Sequence, residues 1–463
     1  MRCVKRNCAR RSILALAALA ALGSLSARAD EKPTAPKSIW EQDTLTGDWS
    51  GARTSLHDRG INFTLTYIDE VLGVLSGGIY RRPSYEGRFE FSVDTDLQKL
   101  VGWTGATTHF TVYQIHNIGH TTAVDNVRSI ADPSNIDALA TTRLFTAWFQ
   151  QNAFDDRVSL RVGQLAADDE FLIAPTAAAG LINGTFGWAS IAAANLAGGG
   201  PAYPLATPAA RLAVKPTDQL TLLTAVFSGN PAGSNCTDTA QACDRYGTKF
   251  SFSGGALWIS ELQYGVNQGK NAVGLPGIYK LGGWYATADY ADVHYGLDAL
   301  GNIVSLTTPP PNPLNHPGNW GIYGVADQAI WAMGKRSVNL FMRGGFVPSD
   351  RNTVSYYLDG GVGLKGLLPG REDDVLTFGA VYEKISPDLA ALDRDFGPPT
   401  PVRNYEAVFE LDYAMQIAPW WTLQPDLQYI VHPGGNVLDP KDPAGTATVK
   451  NAFIAGIRST IKF

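Results

Sequence analysis

Long hydrophobic runs, sulfur and catalytic signatures are what this chain lacks. A membrane-spanning helix needs about 20 consecutive apolar residues. The longest apolar stretch among the 463 residues, Ile13–Leu22, is too short for that and lies at the N-terminus. There are four methionines and four cysteines. No H-E-x-x-H, G-x-S-x-G or Walker sequence occurs, which excludes the common metalloprotease, serine-hydrolase and nucleotide-binding signatures. The run Gly198-Gly199-Gly200 has no strand–helix frame around it and so is not a phosphate loop. The seven histidines are scattered; His109 and His116 share an expected strand but fall on opposite faces, so they are not a ligand pair. No metal, no cofactor and no catalytic constellation is expected. A net charge of −6 argues against a nucleic-acid footprint. No linker divides the chain, and mean hydropathy is near zero.

What is present begins with an export signal. Arg2, Lys5, Arg6, Arg10 and Arg11 precede the apolar stretch, and Ala27-Arg28-Ala29 forms an A-x-A cleavage site. Removing residues 1–29 takes away six Lys/Arg and no acid, moving the net charge from −6 to −12. Residues 30–60 read as a periplasmic N-terminal segment: a polar lead over 30–38, then a short helix over Ser50–Asp58 ended by Gly60. Cleavage leaves Cys236 and Cys243, in NCTDTAQACD. In an exported protein this spacing predicts a disulfide closing a small loop, since no histidine lies nearby to complete a metal site.

From Ile61 the period changes to two. In Tyr85–Leu97, Tyr85, Phe89, Phe91, Val93 and Leu97 alternate with Glu86, Arg88, Glu90, Ser92, Asp94 and Asp96, giving one oily and one polar face. The pattern recurs at 157–162, 210–215, 406–413, 422–429 and 453–463. Weaker candidates lie at 105–117, 143–151, 219–228, 248–264, 277–288, 320–333, 337–347, 354–366 and 374–385, for about sixteen strands in all. Links alternate in length. Tight ones fall at 152–156, 215–218, 334–337 and 418–419. Long ones fall at 118–142, 166–207, 229–247, 289–319, 386–403 and 432–449; 265–276 is longer than the rule expects. Sorting of loops by parity is the mark of an outer-membrane barrel, with short periplasmic turns and long external loops. The class expected is an all-β, antiparallel transmembrane barrel over residues 61–463. So many strands enclose a space too wide for side chains to fill, so the polar face lines water and the oily face meets lipid.

Several blocks resemble the OprB-type carbohydrate-selective porins: LTGDWSGARTSLHDRGI (45–61), GRFEFSVDTDLQKLVGW (87–103), HFTVYQIHN (109–117) and RVSLRVGQLAADDEF (157–171). AVFSGNP (225–231), FMRGGFVPSDRN (341–352) and PWWTLQPDLQYIVHPGG (419–435) continue the similarity. The resemblance implies a sixteen-stranded outer-membrane barrel of Gram-negative bacteria for passive diffusion of small sugars. Its partners would be lipid and carbohydrate solutes, with no nucleic acid; a homo-oligomer is compatible with it. A general or anion-selective porin of the same architecture is the alternative.

A diffusion pore needs polar groups that replace part of a solute's hydration and an aromatic plate for the apolar sugar face. Alternation points Arg88, Glu90, Asp94, Arg161, Arg211, Glu410 and Asp412 into the lumen, with Glu261, Lys280 and Arg343 as further candidates. Trp148 is expected to face inward because Phe145, Ala147 and Phe149 form the oilier face of its strand. The long link 166–207 opens with Asp168, Asp169 and Glu170 and is then rich in Ala and Gly, which predicts a segment folded into the pore.

Overall fold

The computed structural model describes residues 38–118, 122–268, 272–309 and 312–463. The export signal and most of the polar lead lie outside the described residues. The strands are β1 (Ile61–Gly78), β2 (Pro83–Asp96), β3 (Ala106–Asn117), β4 (Thr141–Ala153), β5 (Val158–Leu165) and β6 (Thr207–Val214). They continue as β7 (Leu220–Ser228), β8 (Ala256–Val266), β9 (Gly277–Leu297), β10 (Ile303–Ser305), β11 (Pro313–Met333) and β12 (Arg336–Phe346). The last five are β13 (Val354–Lys365), β14 (Val375–Ile385), β15 (Tyr405–Ala418), β16 (Trp421–Val431) and β17 (Lys450–Lys462). Each barrel strand pairs antiparallel with its neighbour in sequence, and β1 pairs with β17 from Thr66↔Lys462 to Gly78↔Lys450. Sixteen strands thereby close; β10 only extends the end of β9 inside a loop. Closure leaves no sheet edge for hydrocarbon to meet.

Strand ends follow local chemistry. Gly334 adopts φ +61 in the two-residue turn between β11 and β12, where a tight hairpin needs a left-handed residue. Strands β9 and β11 reach 21 residues each, against about 9–11 needed to cross a bilayer. Beyond Ala286, β9 outruns β8, so the extra length stands clear of the membrane on the long-loop side. The expected strand over 248–264 begins only at Ala256; residues 248–255 belong to the preceding loop. At the other rim a helix, Ala52–Asp58, ends before Gly60 (φ +89), and the N-terminal segment is tied to the chain's end by Leu45 N donating to Lys462 O (2.8 Å) and Arg53 to Phe463 O (3.0 Å).

The two faces of β2 take the orientation that a barrel demands. Phe89 and Phe91 are 36% and 41% exposed on the outside, whereas Glu86 is buried inside. Trp258, Tyr285 and Trp320 lie in direct register across β8, β9 and β11 and are exposed, forming part of an aromatic girdle.

The interior is not an open watery tube. The link 166–206 folds inward, as expected, with short helices at Pro175–Gly180, Gly184–Gly187 and Ser190–Ala193. Phe171, Leu172, Ile182, Phe186 and Ile191 are fully buried within it and against the wall. The link between β3 and β4, expected to be an external loop, also turns inward. Ser129 Oγ and the amides of Ile130 and Ala131 donate to Glu406, and Ser134 donates to Glu70. The two inward loops brace one another: Asn135 N donates to Ile182 O (2.7 Å) and Gly184 N to Asp132 O (2.7 Å). A third loop, 229–255, carries a Cys236–Cys243 disulfide (Cα–Cα 5.9 Å). Its Tyr246 carbonyl accepts from Leu144 N (3.0 Å), where β4 has run past its last pairing with β5, at Ala147↔Gln164, and the chain beyond β5 turns into the lumen. The buried Arg143 holds that loop by donating to Asp244 O (3.0 Å).

Candidate functional site

The inward loop 166–206 is fixed to the far wall by polar groups that the alternation had pointed inward. On β12, Arg343 donates to the carbonyls of Leu172 (2.7 Å), Thr185 (2.8 Å) and Gly187 (3.1 Å) and pairs with Asp359 (2.5 Å). Glu410 accepts from Ile182 N (2.6 Å) and Asn183 N (3.0 Å), and Glu261 accepts from Leu172 N (3.1 Å) and Tyr323 (2.8 Å). Asp327 accepts from Thr176 N and Oγ1, and Glu383 from Ser190 Oγ. Small residues on the wall make room for the loop: a Cβ on Gly379 would meet Phe186 at 2.5 Å. Four sequence candidates, Glu261, Arg343, Glu410 and Asp412, are therefore at most 2% accessible. Their expected place on an open lumen is corrected: the loop covers them, and they hold or underlie it rather than meeting solute.

The other candidates converge on β2–β6 and on the start of the loop. Arg161 and Arg211 lie directly opposite one another across β5 and β6. Like charges so placed destabilise a sheet unless something comes between them. Glu170 does so, 3.4 Å from Arg161 and 2.8 Å from Arg211. Gln150 on β4 accepts from both arginines, at 3.0 and 2.9 Å. Arg161 lies 4.0 Å from the centroid of the Trp148 ring, and His109 stacks on that ring at 5.0 Å while pairing with Asp94 (2.7 Å). Nearby, Arg88 pairs with Glu90 (3.1 Å) and lies over Tyr113 and Tyr203. Tyr203 donates to Ile136 O (2.9 Å), joining the two inward loops; burial pushes its phenol up, so it stays a donor. Asp94 and Asp169 are exposed to the lumen, and Trp148, Arg161, Glu90 and Glu170 partly so. Arg211 is buried beneath Glu170.

Trp148 faces the lumen as the alternation with Ala147 and Phe149 predicts, but the residues before it do not keep that phase. A register shift between Phe110 and Val112 sets Phe145 and Thr146 of β4 against one residue of β3. This bulge reverses the phase, so Phe145 turns inward and packs on Tyr113 and Tyr203, while Trp148 still faces in. The expectation that Phe145 shares the oily face with Ala147 and Phe149 is overturned there. Across from Trp148 sits Gly163 (φ +145), where a Cβ would meet Ala147 O at 2.3 Å and Trp148 Cα at 2.7 Å. Gln150, His109, Tyr113 and Tyr203 were not among the lumen candidates read from sequence. Of these, Gln150 was within reach, two residues from Trp148 on the same face.

Residues 81–463 match the family described as carbohydrate-selective porin, OprB family. The chain belongs to the OprB family. It is 27% identical to Porin B of Pseudomonas aeruginosa, over 98% of each chain. To the putative porin QuiX of Acinetobacter baylyi it is 23% identical, over 97% of this chain and 99% of that one. The high-pH structure of Pseudomonas putida OprB superposes with a TM-score of 0.79 at 26% identity, covering 92% of this chain and all of that one. Family and architecture together make this OprB-family protein a sugar-selective porin of the Gram-negative outer membrane, a channel by construction.

Proposed function

We propose that small sugars of glucose size and short oligosaccharides diffuse through this OprB-family barrel along the β2–β6 wall. On this reading Arg161, Glu170 and Asp94 exchange hydrogen bonds with sugar hydroxyls, while Trp148 offers an apolar edge and holds Arg161 in place. Arg88, Glu90, Asp169 and Arg211 set the local field. Residues 1–29 act as the cleaved export signal, and residues 30–60 stay at the periplasmic rim. The observation that carries the reading is the Arg161–Glu170–Arg211 bridge beside Trp148. Acid and base are interleaved there, which suits a neutral, hydroxyl-rich solute better than an ion of one sign.

The test is a planar-bilayer recording with stepwise addition of glucose, maltose and an anionic sugar acid. Saturable block of the ion current by the neutral sugars is expected, and block by the acid alone would favour an anion-selective pore. The Trp148→Ala variant should weaken sugar block about two- to fivefold, because a cation–π contact at a water-accessible site contributes roughly 0.5–1 kcal/mol to the placement of Arg161. An unchanged blocking constant in that variant would remove Trp148 from the site.

A further inference from the structure

The lumen face of this barrel sets like charges directly opposite one another at four places: Glu70 and Glu86, Arg161 and Arg211, Glu383 and Glu406, Asp412 and Asp426. Such pairs need a mediator. Three have one on an inward loop: Ser134 and Ala123 N serve Glu70 and Glu86, Glu170 serves the arginines, and Ser190, Ser129 and backbone amides serve Glu383 and Glu406. Glu70 also has Arg458. The fourth pair has only neutral side-chain amides.

Around Asp412 and Asp426 the pattern is regular. Asp412 Oδ1 accepts from Gln424 Nε2 (3.0 Å), Asp426 Oδ1 from Gln428 Nε2 (2.9 Å), and Glu410 Oε1 from the amides of Ile182 and Asn183. Each carboxylate thus uses one oxygen. The second oxygens, Glu410 Oε2, Asp412 Oδ2 and Asp426 Oδ2, are fully buried and have no hydrogen-bond partner among the described residues. The three residues are 0–1% accessible, and each brings an oxygen to within 4.8 Å of the other two. Arg458 on β17 spends its hydrogen bonds on Glu70 and Asn135. Three buried carboxyl oxygens crowded together without partners carry a desolvation and repulsion cost that a shared hard cation would remove.

We propose that Glu410, Asp412 and Asp426 form a calcium-class divalent cation site inside the barrel. The donors are all oxygen, with no His or Cys among them, which excludes a soft-metal preference. The oxygens lie within 4.8 Å of one another, close enough to converge on one ion. Calcium accepts roughly 6–8 oxygens at about 2.3–2.6 Å in flexible geometry, whereas magnesium demands a near-ideal octahedron at about 2.0–2.1 Å that three carboxylates on two strands do not impose. The anchored oxygens lead to the loop tip, since Gln424 also donates to Gly180 O and Gln428 Oε1 accepts from Asn183. An ion held here would fasten β15 and β16 to the residues that narrow the pore.

The test uses the full-length barrel in detergent, stripped with EDTA and desalted. In equilibrium dialysis with ⁴⁵Ca²⁺, the wild type should take up one calcium per chain more than the Asp412→Asn/Asp426→Asn variant, half-saturating at or below about 0.1 mM. Wild-type melting should shift upward on adding calcium, and less with magnesium; the variant should melt at one temperature in EDTA and in calcium. Equal uptake by the two proteins overturns the site. Should the double variant not reach the folded, heat-modifiable state, the wild type and Glu410→Gln decide: wild-type melting indifferent to EDTA and calcium overturns it equally.

Discussion

Replacing residues 176–200 by a short glycine–serine bridge is expected to raise single-channel conductance several-fold and to remove saturable sugar block. The deleted stretch contains every loop group that bonds Asp327, Glu383 and Glu410, and two of the three carbonyls held by Arg343. Its removal opens the lumen beside β11–β16, where Phe186 and Ile182 now exclude water. The acids and arginine uncovered would face water instead of protein, so the desolvation cost that the loop offsets disappears with the loop. The strand ladder, including the β1–β17 closure, is untouched, and folded barrel should still be recovered. Conductance equal to wild type would show that the loop does not obstruct the passage.

The largest effect on stability is expected from Arg343→Met. Its guanidinium is 2% accessible and binds Asp359, Tyr357 and three loop carbonyls. Truncation strands the buried Asp359 carboxylate, and breaking one side of such a pair costs about 3–5 kcal/mol. Adding Asp359→Asn should recover part of that loss, because the orphaned charge goes while Tyr357 can still bond the amide. A double-mutant cycle from unfolding in urea with lipid vesicles measures the coupling. If Arg343→Met costs under about 1 kcal/mol, comparable to an exposed ion pair, the clamp is not what holds the loop. Single-channel noise should rise in the same variant, since the loop loses anchors at Leu172, Thr185 and Gly187.

Much of this architecture was legible because it depends on backbone periodicity. Phe89, Phe91 and Glu86 alternate, and the alternation recurs often enough to require closure; parity of link lengths then decides which end is which. The small residues after Asp169 signalled a loop without a strand of its own. What stayed hidden depends on side chains meeting backbone amides far away in sequence. Glu406 satisfying Ile130 and Ala131 leaves no mark on either segment, and Asp125, Asp132 and Asp137 make 118–140 look like a solvated loop. The β4 bulge was equally silent, because one extra residue between two apolar side chains changes no local composition. Phase alone could identify Glu410 and Asp412 as inward-facing, but only the packed loop separates covered positions such as these from Asp94 and Arg161, which still meet water.

The β1–β17 seam joins Tyr67 to Ile461, nearly the whole chain apart. Entropy of closing so large a loop grows only logarithmically with length, so the finished wall is little weakened by its reach. The kinetic consequence is heavier. The final staves of the cask are the first and the last to be made, so the hoop cannot tighten until translation and export of the entire polypeptide are over. Until then any partial assembly carries two bare edges, and a chain truncated by a single stave keeps them permanently. Such a product should be a substrate for periplasmic chaperones and proteases instead of a smaller pore.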